Sequence, residues 1–398
     1  YRVAMSNDGT ILATGDSWYD GPDNNLTDAG HVKVYQYAND TWTQLGQEIL
    51  GETDNTSSTV YFGGSVSLSS DGTIVAAGAI SANKQLQDGS FEYQGYAKIC
   101  QWNGSTWTEL GENIWGGPTG GTGASVGLSS DGSIVAVGAK YSDINEIDSG
   151  HVRVYQYSTP GVTGGTWTQL GQDIDGEADA DGFGRTASLS GDGTIVAAGS
   201  YKNDGNKGHV RVYQWNGTDT WTQLGQDIDG EAANDWFGHC VSLSSDGTML
   251  AIGARKSNEG KGHTSIYQYS SGSWAKFGSD IVGEDGDQSG YHNSLSGDGT
   301  TVAIGAPLSL VVRVYKVAVG PVLDPGRFEG EGTKYTFKIQ GPFIPFVPLD
   351  VALQLGQDID GEAADDYSGK SVSLSDDGTI VAIGSNYNDG SAPNAGHV

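Results

Sequence analysis

The chain contains few of the residues that define a disulfide-stabilised or membrane-embedded protein. Cysteine and methionine occur twice each among 398 residues. Two cysteines do not make a disulfide framework, so Cys100 and Cys240 are expected to be unpaired core thiols. No apolar run reaches the length of a membrane-spanning helix, and no long stretch shows helical periodicity. We therefore expect a chain of strands, with no segment that inserts into a membrane.

Basic residues are scarce as well. The 20 lysines and arginines stand against 49 acidic residues, which gives a formal net charge of −29. Such a charge repels phosphate backbones at long range, so nucleic acid is not expected as a partner. The arginines fall mostly in predicted strands, and no cluster that would recognise a carboxylate is expected among them. They are Arg2, Arg153, Arg185, Arg211, Arg255, Arg313 and Arg327.

Glycine is abundant, with 63 residues, and much of it belongs to an internal repeat. In the clearest copy, residues 179–200, an alternating segment and an apolar run flank the turn from Gly191 to Thr194. An Asp-Gly pair between two such segments indicates a β-hairpin, because both residues tolerate the positive φ angles of tight turns. The pair recurs in seven repeats, at Asp8, Asp71, Asp131, Asp192, Asp246, Asp298 and Asp377.

Each repeat contains four predicted strands, named a to d. Strands a and b form the hairpin, strand c alternates as in residues 151–157, and strand d is a polar segment such as Trp167 to Leu170. Seven such repeats predict an all-β fold, a seven-bladed β-propeller of four-stranded antiparallel blades. Residues 1–398 are expected to form this single domain. Because the chain starts and stops within strands, we expect it to be a fragment of a longer one.

The sixth repeat departs from the pattern. Residues 317–351 are a predicted insertion between strands c and d of blade six, and they hold half of the 10 prolines. We expect either an elongated hairpin or a partner-docking arm, because four of its side chains are too apolar for a free loop. These are Phe343, Ile344, Phe346 and Val347.

The junctions between repeats carry a recognisable motif. The segment from Asp175 to Glu177 is followed by Asp181-Gly182-Phe183-Gly184 and, after the hairpin, by Gly199-Ser200. Related segments occur at other junctions, and the sixth repeat has residues 305–307 as Gly-Ala-Pro. These motifs resemble the FG-GAP repeat of integrin α-chain propellers and their microbial relatives. The resemblance implies a propeller at the cell surface or outside the cell that acts in adhesion or assembly and not in catalysis.

Calcium is the cofactor that this resemblance raises. Integrin-type blades often carry Asp-x-Asp-x-Asp-Gly between strands a and b, whereas this chain has Ser-x-Asp-Gly with one carboxylate. Calcium prefers about six to eight oxygen ligands, so these aspartates, such as Asp71, Asp131 and Asp246, are expected to serve the turn. A weaker calcium candidate, with a solvated acidic loop as the alternative, is the loop from strand d to strand a that holds Asp175, Glu177, Asp179 and Asp181.

Catalysis requires unlike groups to converge on one point, and a ring of repeats separates like ones. Equivalent residues at a radius of about 15 Å would lie more than roughly 10 Å apart. The Gly-His-Val histidines are therefore expected to hydrogen-bond locally and not to share a metal; they are His31, His151, His209, His263 and His397. His239 and His292 begin strand a nearer the axis and are the predicted lining of a central channel.

Five Asn-x-Ser/Thr sequons lie in predicted loops, at Asn25, Asn39, Asn55, Asn103 and Asn216. They are candidate glycosylation sites of a secreted eukaryotic glycoprotein, although Asn-Gly is also a preferred turn pair.

We therefore expect a non-enzymatic extracellular or cell-surface module that binds a protein or glycan, or packs against further copies of itself in a surface assembly. The loops from d to a and from b to c vary most between repeats, so they form the expected recognition face. Two alternatives stay open: a glycan-processing hydrolase, which needs paired carboxylates in a cleft on that face, and a purely structural subunit of an extracellular fibre.

Overall fold

A computed structural model describes residues 2–20, 28–52, 59–143, 147–159, 164–317, 352–361 and 367–385. These residues form six five-stranded antiparallel sheets and two two-stranded sheets. The six large sheets are the blades of a β-propeller, which confirms the predicted all-β class. Within these ranges, none of the helices is long and apolar enough to cross a membrane.

The two inner strands of each blade come from the predicted hairpin. Strand a spans Arg2–Met5, Phe62–Leu68, Thr122–Leu128, Thr186–Leu189, Phe237–Leu243 and His292–Leu295. Strand b spans Ile11–Asp16, Ile74–Ala79, Ile134–Ala139, Ile195–Ser200, Met249–Ala254 and Thr301–Ala306. Every residue of strand b is buried in blades two, four, five and six, because neighbouring blades cover both faces.

The outer part of each blade contains three strands. Strand c spans His31–Ala38, Tyr96–Trp102, His151–Tyr157, His209–Trp215, His263–Ser270 and Val311–Val317. Strand d spans Thr41–Gln44, Trp107–Glu109, Trp167–Gln169, Trp221–Gln223, Ser273–Lys276 and Ala352–Gln354. A short strand e spans Ile49–Leu50, Ile114–Trp115, Ile174–Asp175, Ile228–Asp229, Ile281–Val282 and Ile359–Asp360.

The prediction of seven four-stranded blades is wrong in both numbers. Six blades are formed, and the seventh repeat contributes only the two-stranded sheet of Ser371–Leu374 and Val381–Gly384 within the described residues. The fifth strand arises because the outer edge is interrupted: Gly171, with φ 68°, separates two segments that pair with opposite ends of strand c. The sequence pattern showed only the first of these segments.

The hairpins nevertheless close a ring around an axis. The first residue of each a–b turn donates its backbone N–H to the carbonyl of the corresponding residue in the next hairpin. The ring contains Asn7, Ser70, Ser130, Gly191, Ser245, Gly297 and Asp376, and its N···O distances are 2.7 to 2.9 Å. The two-stranded sheet thus lies between blades six and one, where the Ser371 hydroxyl also accepts the Val3 N–H at 3.1 Å.

The repeated motifs are structural contacts between blades. Gly184, at φ 81°, places its carbonyl oxygen so near Gly138 of the preceding blade that a Cβ on Gly138 would lie 1.9 Å from it. Farther out, the strand-d tryptophan of four blades donates its indole N–H to a leucine carbonyl of the preceding blade at 2.7 to 2.9 Å. Close backbone approach near the axis and indole hydrogen bonds at the rim therefore fix neighbouring blades together.

The turn aspartates stabilise their own hairpins, as predicted. Asp192 accepts hydrogen bonds from the Ser190 hydroxyl at 2.7 Å and the Thr194 backbone N–H at 2.9 Å. The equivalent carboxylates, including those of Asp71, Asp131 and Asp246, make the same pair of contacts.

The b–c connections carry the remaining elements. Blade two inserts a hairpin, Asn83–Gln85 paired with Phe91–Tyr93. Blades four and five contain the short helical turns Asn203–Asn206 and Ser257–Gly260. The predicted insertion lies outside the described residues, but Val317 and Ala352 on either side of it pair with each other.

Candidate functional site: the mouth of the axial channel

Strand a is the innermost strand of every blade, so its side chains line a channel along the axis. The cavity has a volume of about 280 Å³, and its lining includes Arg2, Arg185, His239, Tyr291 and His292. The predicted channel-lining role of His239 and His292 is therefore confirmed. The turn ring lies at one end of this channel.

The other end of the channel collects basic and aromatic side chains. Strand a begins here, and the antiparallel strand b ends beside it, as the pairing of Thr186 with Gly199 shows. Residues just before strand a and just after strand b therefore lie together at this end of the channel. We call this end the axial mouth; it comprises Arg2, Lys140, Arg185, Lys202, Arg255, Lys256 and Lys370 together with Tyr201, Trp236, His239 and Tyr291.

A chain of hydrogen bonds fixes the centre of the mouth. The Nη2 atom of Arg185 lies 2.7 Å from Nε2 of His239, and Nδ1 of the same ring lies 3.1 Å from the Tyr291 carbonyl oxygen. Because a guanidinium only donates, Nε2 must accept and Nδ1–H must donate, so the imidazole is neutral. Burial, together with Arg185 and Arg255, lowers the pKa of His239 well below its usual range. His239 thus orients Arg185 without neutralising its charge.

Aromatic rings hold the other cations. The guanidinium of Arg255 lies 4.5 Å from the ring centre of Trp236 and 4.9 Å from that of Tyr291. The ammonium of Lys256 lies 3.8 Å from the centre of the Trp236 ring. Cation–π contacts restrict the position of a cation but leave its full charge in place. The mouth is therefore organised and remains strongly positive.

The pKa shifts report this positive potential. Burial, together with the positive charges of Arg185, Lys202 and Arg2, lowers the pKa of Lys140 to about 8. Burial would raise the pKa of Tyr291, yet the surrounding cations, led by Arg2, lower it below its ordinary value. Both shifts favour a negative charge at the mouth.

The cations of the mouth differ from those elsewhere in the molecule. In the described part of the chain, Arg2, Lys140, Arg185, Lys202, Arg255 and Lys256 form no salt bridge with an aspartate or glutamate, whereas seven other lysines and arginines do. A chain with a net charge of −29 has ample carboxylates for such pairs. Among the described residues, Lys84, Lys207 and Lys316 also form no such pair, so what distinguishes the mouth is that its cations without carboxylate partners lie together.

Three arginines, Arg2, Arg185 and Arg255, lie together at the mouth, although no carboxylate-recognising cluster was expected among the arginines. The separation assumed for equivalent residues is wrong. Arg185 and His239 occupy equivalent positions of blades four and five and touch, because strand a lies much nearer the axis than the assumed radius. One position in each of repeats two to seven lies directly before the residues of strand a that pair continuously with strand b. In successive repeats this position holds Gly64, Ala124, Arg185, His239, Tyr291 and Lys370. Aligning the repeats and inspecting this variable position could have indicated the site.

The predicted calcium residues occupy separate environments. The buried Asp181 carboxylate accepts the backbone N–H groups of Glu177 and Ala178, while Asp179 accepts the Ile147 N–H. Glu177 forms an ion pair with Arg211 at 3.1 Å. Asp175 and Glu177 fall into two different groups of potential metal ligands. Calcium in this loop stays a prediction.

Two histidines lie in those groups, which are His151 with Asp173 and Asp175, and His209 with Glu177 and Asp227. Each group already contains a guanidinium, since Arg153 contacts Asp173 at 2.7 Å and Arg211 contacts Glu177. Burial lowers the pKa of His151 to about 4. A cation bound in either group would have to displace an arginine from its carboxylate.

Three of the candidate glycosylation sites are described, and all three are exposed. The side-chain oxygens of Asn103 and Asn216 accept backbone N–H groups of their own turns, and Asn39 adopts a positive φ of 52°. Asn25 and Asn55 lie outside the described residues, as do the docking candidates Phe343, Ile344, Phe346 and Val347. Glycosylation and docking at these positions stay predictions.

Comparison with known proteins identifies the fold only. No protein-family model and no curated protein matches the chain. Among solved structures, it is similar to Kuenenia stuttgartiensis hydrazine synthase, with a TM-score of 0.56 and 12% identity over 97% of this chain and 92% of that one. It is also similar to a putative 6-phosphogluconolactonase from Bacteroides uniformis, with a TM-score of 0.55 and 13% identity over 95% and 89% of the two chains. At such identities these similarities support a β-propeller and no particular activity.

Proposed function

We propose that this protein is a non-catalytic binding module of the cell surface or extracellular space that holds an acidic partner or ligand at the axial mouth. The observation that supports this proposal is the set of six cations at the mouth that have no carboxylate partner among the described residues. The similarity of the repeat motifs to FG-GAP propellers supports the extracellular location and the role in adhesion. The mouth lies on the predicted recognition face, where strand b leads into strand c.

The alternative of a glycan hydrolase requires two carboxyl groups that face one cleft. The described part of the mouth contains no aspartate or glutamate, so this site does not favour that chemistry. The fibre-subunit alternative depends on the insertion and stays a prediction.

The proposal is tested by thermal shift and calorimetry with citrate, phosphate and sulfate at constant ionic strength. A ligand that binds only the folded state raises the melting temperature, and the shift grows with the ratio of the ligand concentration to its Kd. We expect stabilisation of the wild type and its loss in the double variant Arg185→Gln/Arg255→Gln. The control Lys33→Gln/Lys276→Gln removes the same charge from two residues that pair with carboxylates and should keep the effect. Equal stabilisation of both double variants would refute binding at the mouth.

A further inference from the structure

The charges of the recognition face are separated by their distance from the axis. In blades three, four and five, a cation lies one or two residues after the end of strand b, and an exposed acid comes two or three residues later along the b–c loop. The pairs are Lys140 with Asp143, Lys202 with Asp204, and Lys256 with Glu259. Because each loop runs outward from strand b to strand c, the cations lie near the axis and the acids lie around them.

The acids of blade one lie along the same kind of loop. Burial raises the pKa of Asp28, and the negative charges of Asp20 and Asp16 raise it further. The face therefore has a positive centre inside an acidic rim. The Debye length at physiological salt is about 8 Å, so a bound group experiences the local charges more than the net charge of the molecule.

This arrangement favours a ligand that inserts an acidic end along the axis. A linear polyanion lying across the face would place charges over the acidic rim on both sides of the mouth. A chain whose acidic charge lies at its tip would place that charge among the cations and keep its uncharged body over the rim. The mouth thus selects against repeated internal charges.

The groups at the centre suit a carboxylate. A guanidinium presents parallel N–H donors that match two carboxylate oxygens. The Nε atoms of Arg185 and Arg255 are buried and have no hydrogen-bond partner within the described part of the chain. Both arginines are already oriented, by His239 and by Gln288 at 2.8 Å. These contacts use one terminal nitrogen of each guanidinium, Nη2 of Arg185 and Nη1 of Arg255, so the other terminal N–H groups are the donors left for an acceptor at the mouth, while the Nε atoms are buried.

The opposite side of the mouth offers room and aromatic surface for the body of the ligand. Blades two and three have Gly64 and Ala124 where blades four to six have large side chains. The b–c loops of the same two blades expose Phe91 and Tyr141, at 42% and 37% of their surfaces. Aromatic rings with accessible faces pack against the C–H faces of sugar rings, while a peptide carboxyl terminus is usually captured by backbone N–H groups. The described groups of the mouth are side chains, so they match a sugar better than a peptide carboxyl terminus.

We propose that the axial mouth binds the terminal acidic sugar of a glycan end-on, with its carboxylate between Arg185 and Arg255 and the adjoining neutral sugars over blades two and three. This inference rests on the proposed binding function and specifies its ligand.

The test is calorimetry with three probes on the intact chain. The first is a neutral oligosaccharide with one glucuronate at its non-reducing end, the second is its methyl ester, and the third is polygalacturonate of two lengths. We expect the first probe to bind, the ester to bind about tenfold or more weakly because its charge is gone, and polygalacturonate to bind one protein per chain at both lengths. Arg185→Gln and Phe91→Ala should each weaken binding of the first probe, and Phe91→Ala should not change binding of citrate, because no cation of the mouth lies on the Phe91 ring within the described residues.

Several results would overturn the inference. Equal binding of the ester would remove the role of the carboxylate, and protein bound in proportion to polygalacturonate length would show recognition of internal charges. A poly-glutamate peptide that binds as tightly as the first probe would assign the mouth to peptides. If citrate binds at the mouth but the glucuronate probe binds no better, the glycan inference fails and the binding function stands. If neither binds, both fail.

Discussion

Lys140 shows how the axial mouth lowers the stability of the folded protein. Its ammonium lies 4.6 Å from the Tyr141 ring centre, and the neighbouring charges of Arg185, Lys202 and Arg2 that act on it are all positive. The pKa of Lys140 is lowered from the usual 10.5 to about 8, so keeping this lysine protonated at neutral pH costs more free energy in the folded protein than in the unfolded chain. A protonated lysine among these cations lowers the stability of the folded protein but attracts an anion.

Replacement of Lys140 should therefore stabilise the protein. In the pH range between about 8 and 10.4 the unfolded chain binds more protons at this residue than the folded one, so wild-type stability rises with pH there. We expect Lys140→Met to raise the melting temperature at pH 7 and to lose that advantage by about pH 10.5. Melting curves from pH 7 to 10.5 measure the effect.

The matched control is Lys33→Met, which removes a lysine paired with Glu48 at 3.2 Å. It should not stabilise the protein at pH 7. A Lys140→Met advantage that is independent of pH would indicate a packing effect and contradict the electrostatic account. The same variant should bind citrate more weakly, because one cation of the mouth is lost.

At the level of elements, the strands a are joined by a series of serine hydroxyls. In five places a backbone N–H of one blade donates to a strand-a serine of the preceding blade at 2.9 to 3.1 Å. The acceptors are Ser67, Ser188, Ser242, Ser294 and Ser373. The corresponding position of blade three is Gly127, which cannot make this contact with Leu189.

Gly127→Ser should restore the missing contact. A Cβ at this position would meet its nearest neighbours, the Ala187 carbonyl oxygen and the Leu189 nitrogen, at ordinary distances of 3.6 and 3.7 Å. We expect stabilisation of about 0.5 to 1.5 kcal/mol from the hydrogen bond and from the lower entropy of the unfolded chain. Denaturant unfolding measures it, and Gly127→Ala separates the two contributions. Equal gains in both variants would show that the hydroxyl makes no bond.

At the scale of the whole molecule, the ring of hairpins depends on seven turn carboxylates. Burial raises the pKa of six of them, but hydrogen bonds from neighbouring serines and threonines, or from two serines at Asp131, outweigh it and lower each pKa below its ordinary value. Hydrogen bonds from Thr379 and Ser375 likewise lower the pKa of Asp377. Each carboxylate thus contributes stability above about pH 4 that is lost as the pH falls through its folded value.

Asp192→Asn isolates this contribution. The amide of the variant keeps an acceptor oxygen but does not titrate. As the pH falls, protonation of the other acidic residues relieves their mutual repulsion to nearly the same extent in the wild type and in the variant. We expect the wild type to be more stable at pH 6 and the difference to shrink as the pH approaches 2. Melting temperatures at pH 6, 4 and 2 measure it. A constant difference across this range would contradict the account.

Strand order and turn chemistry could be predicted from the sequence because they are local. The period-two alternation of strand c, the apolar strand b and the Asp-Gly turns each specify their structure within about ten residues of chain. The Phe-Gly and Gly-Ala motifs were visible too, although only the packing of Gly184 on Gly138 gives their reason. The short strand e was missed because two paired residues after a positive-φ glycine carry no periodic signal.

The sequence by itself determined the blade: a hairpin of strands a and b, an alternating strand c and a polar outer edge, because these follow from neighbours in the chain. The tertiary structure decided how many blades are complete, since that depends on which repeats find partners for all their strands. It also decided the site. Arg2, Arg185 and Arg255 are far apart in the chain and meet only because the ring brings the start of every strand a to one axis, where they form no salt bridge with the described carboxylates.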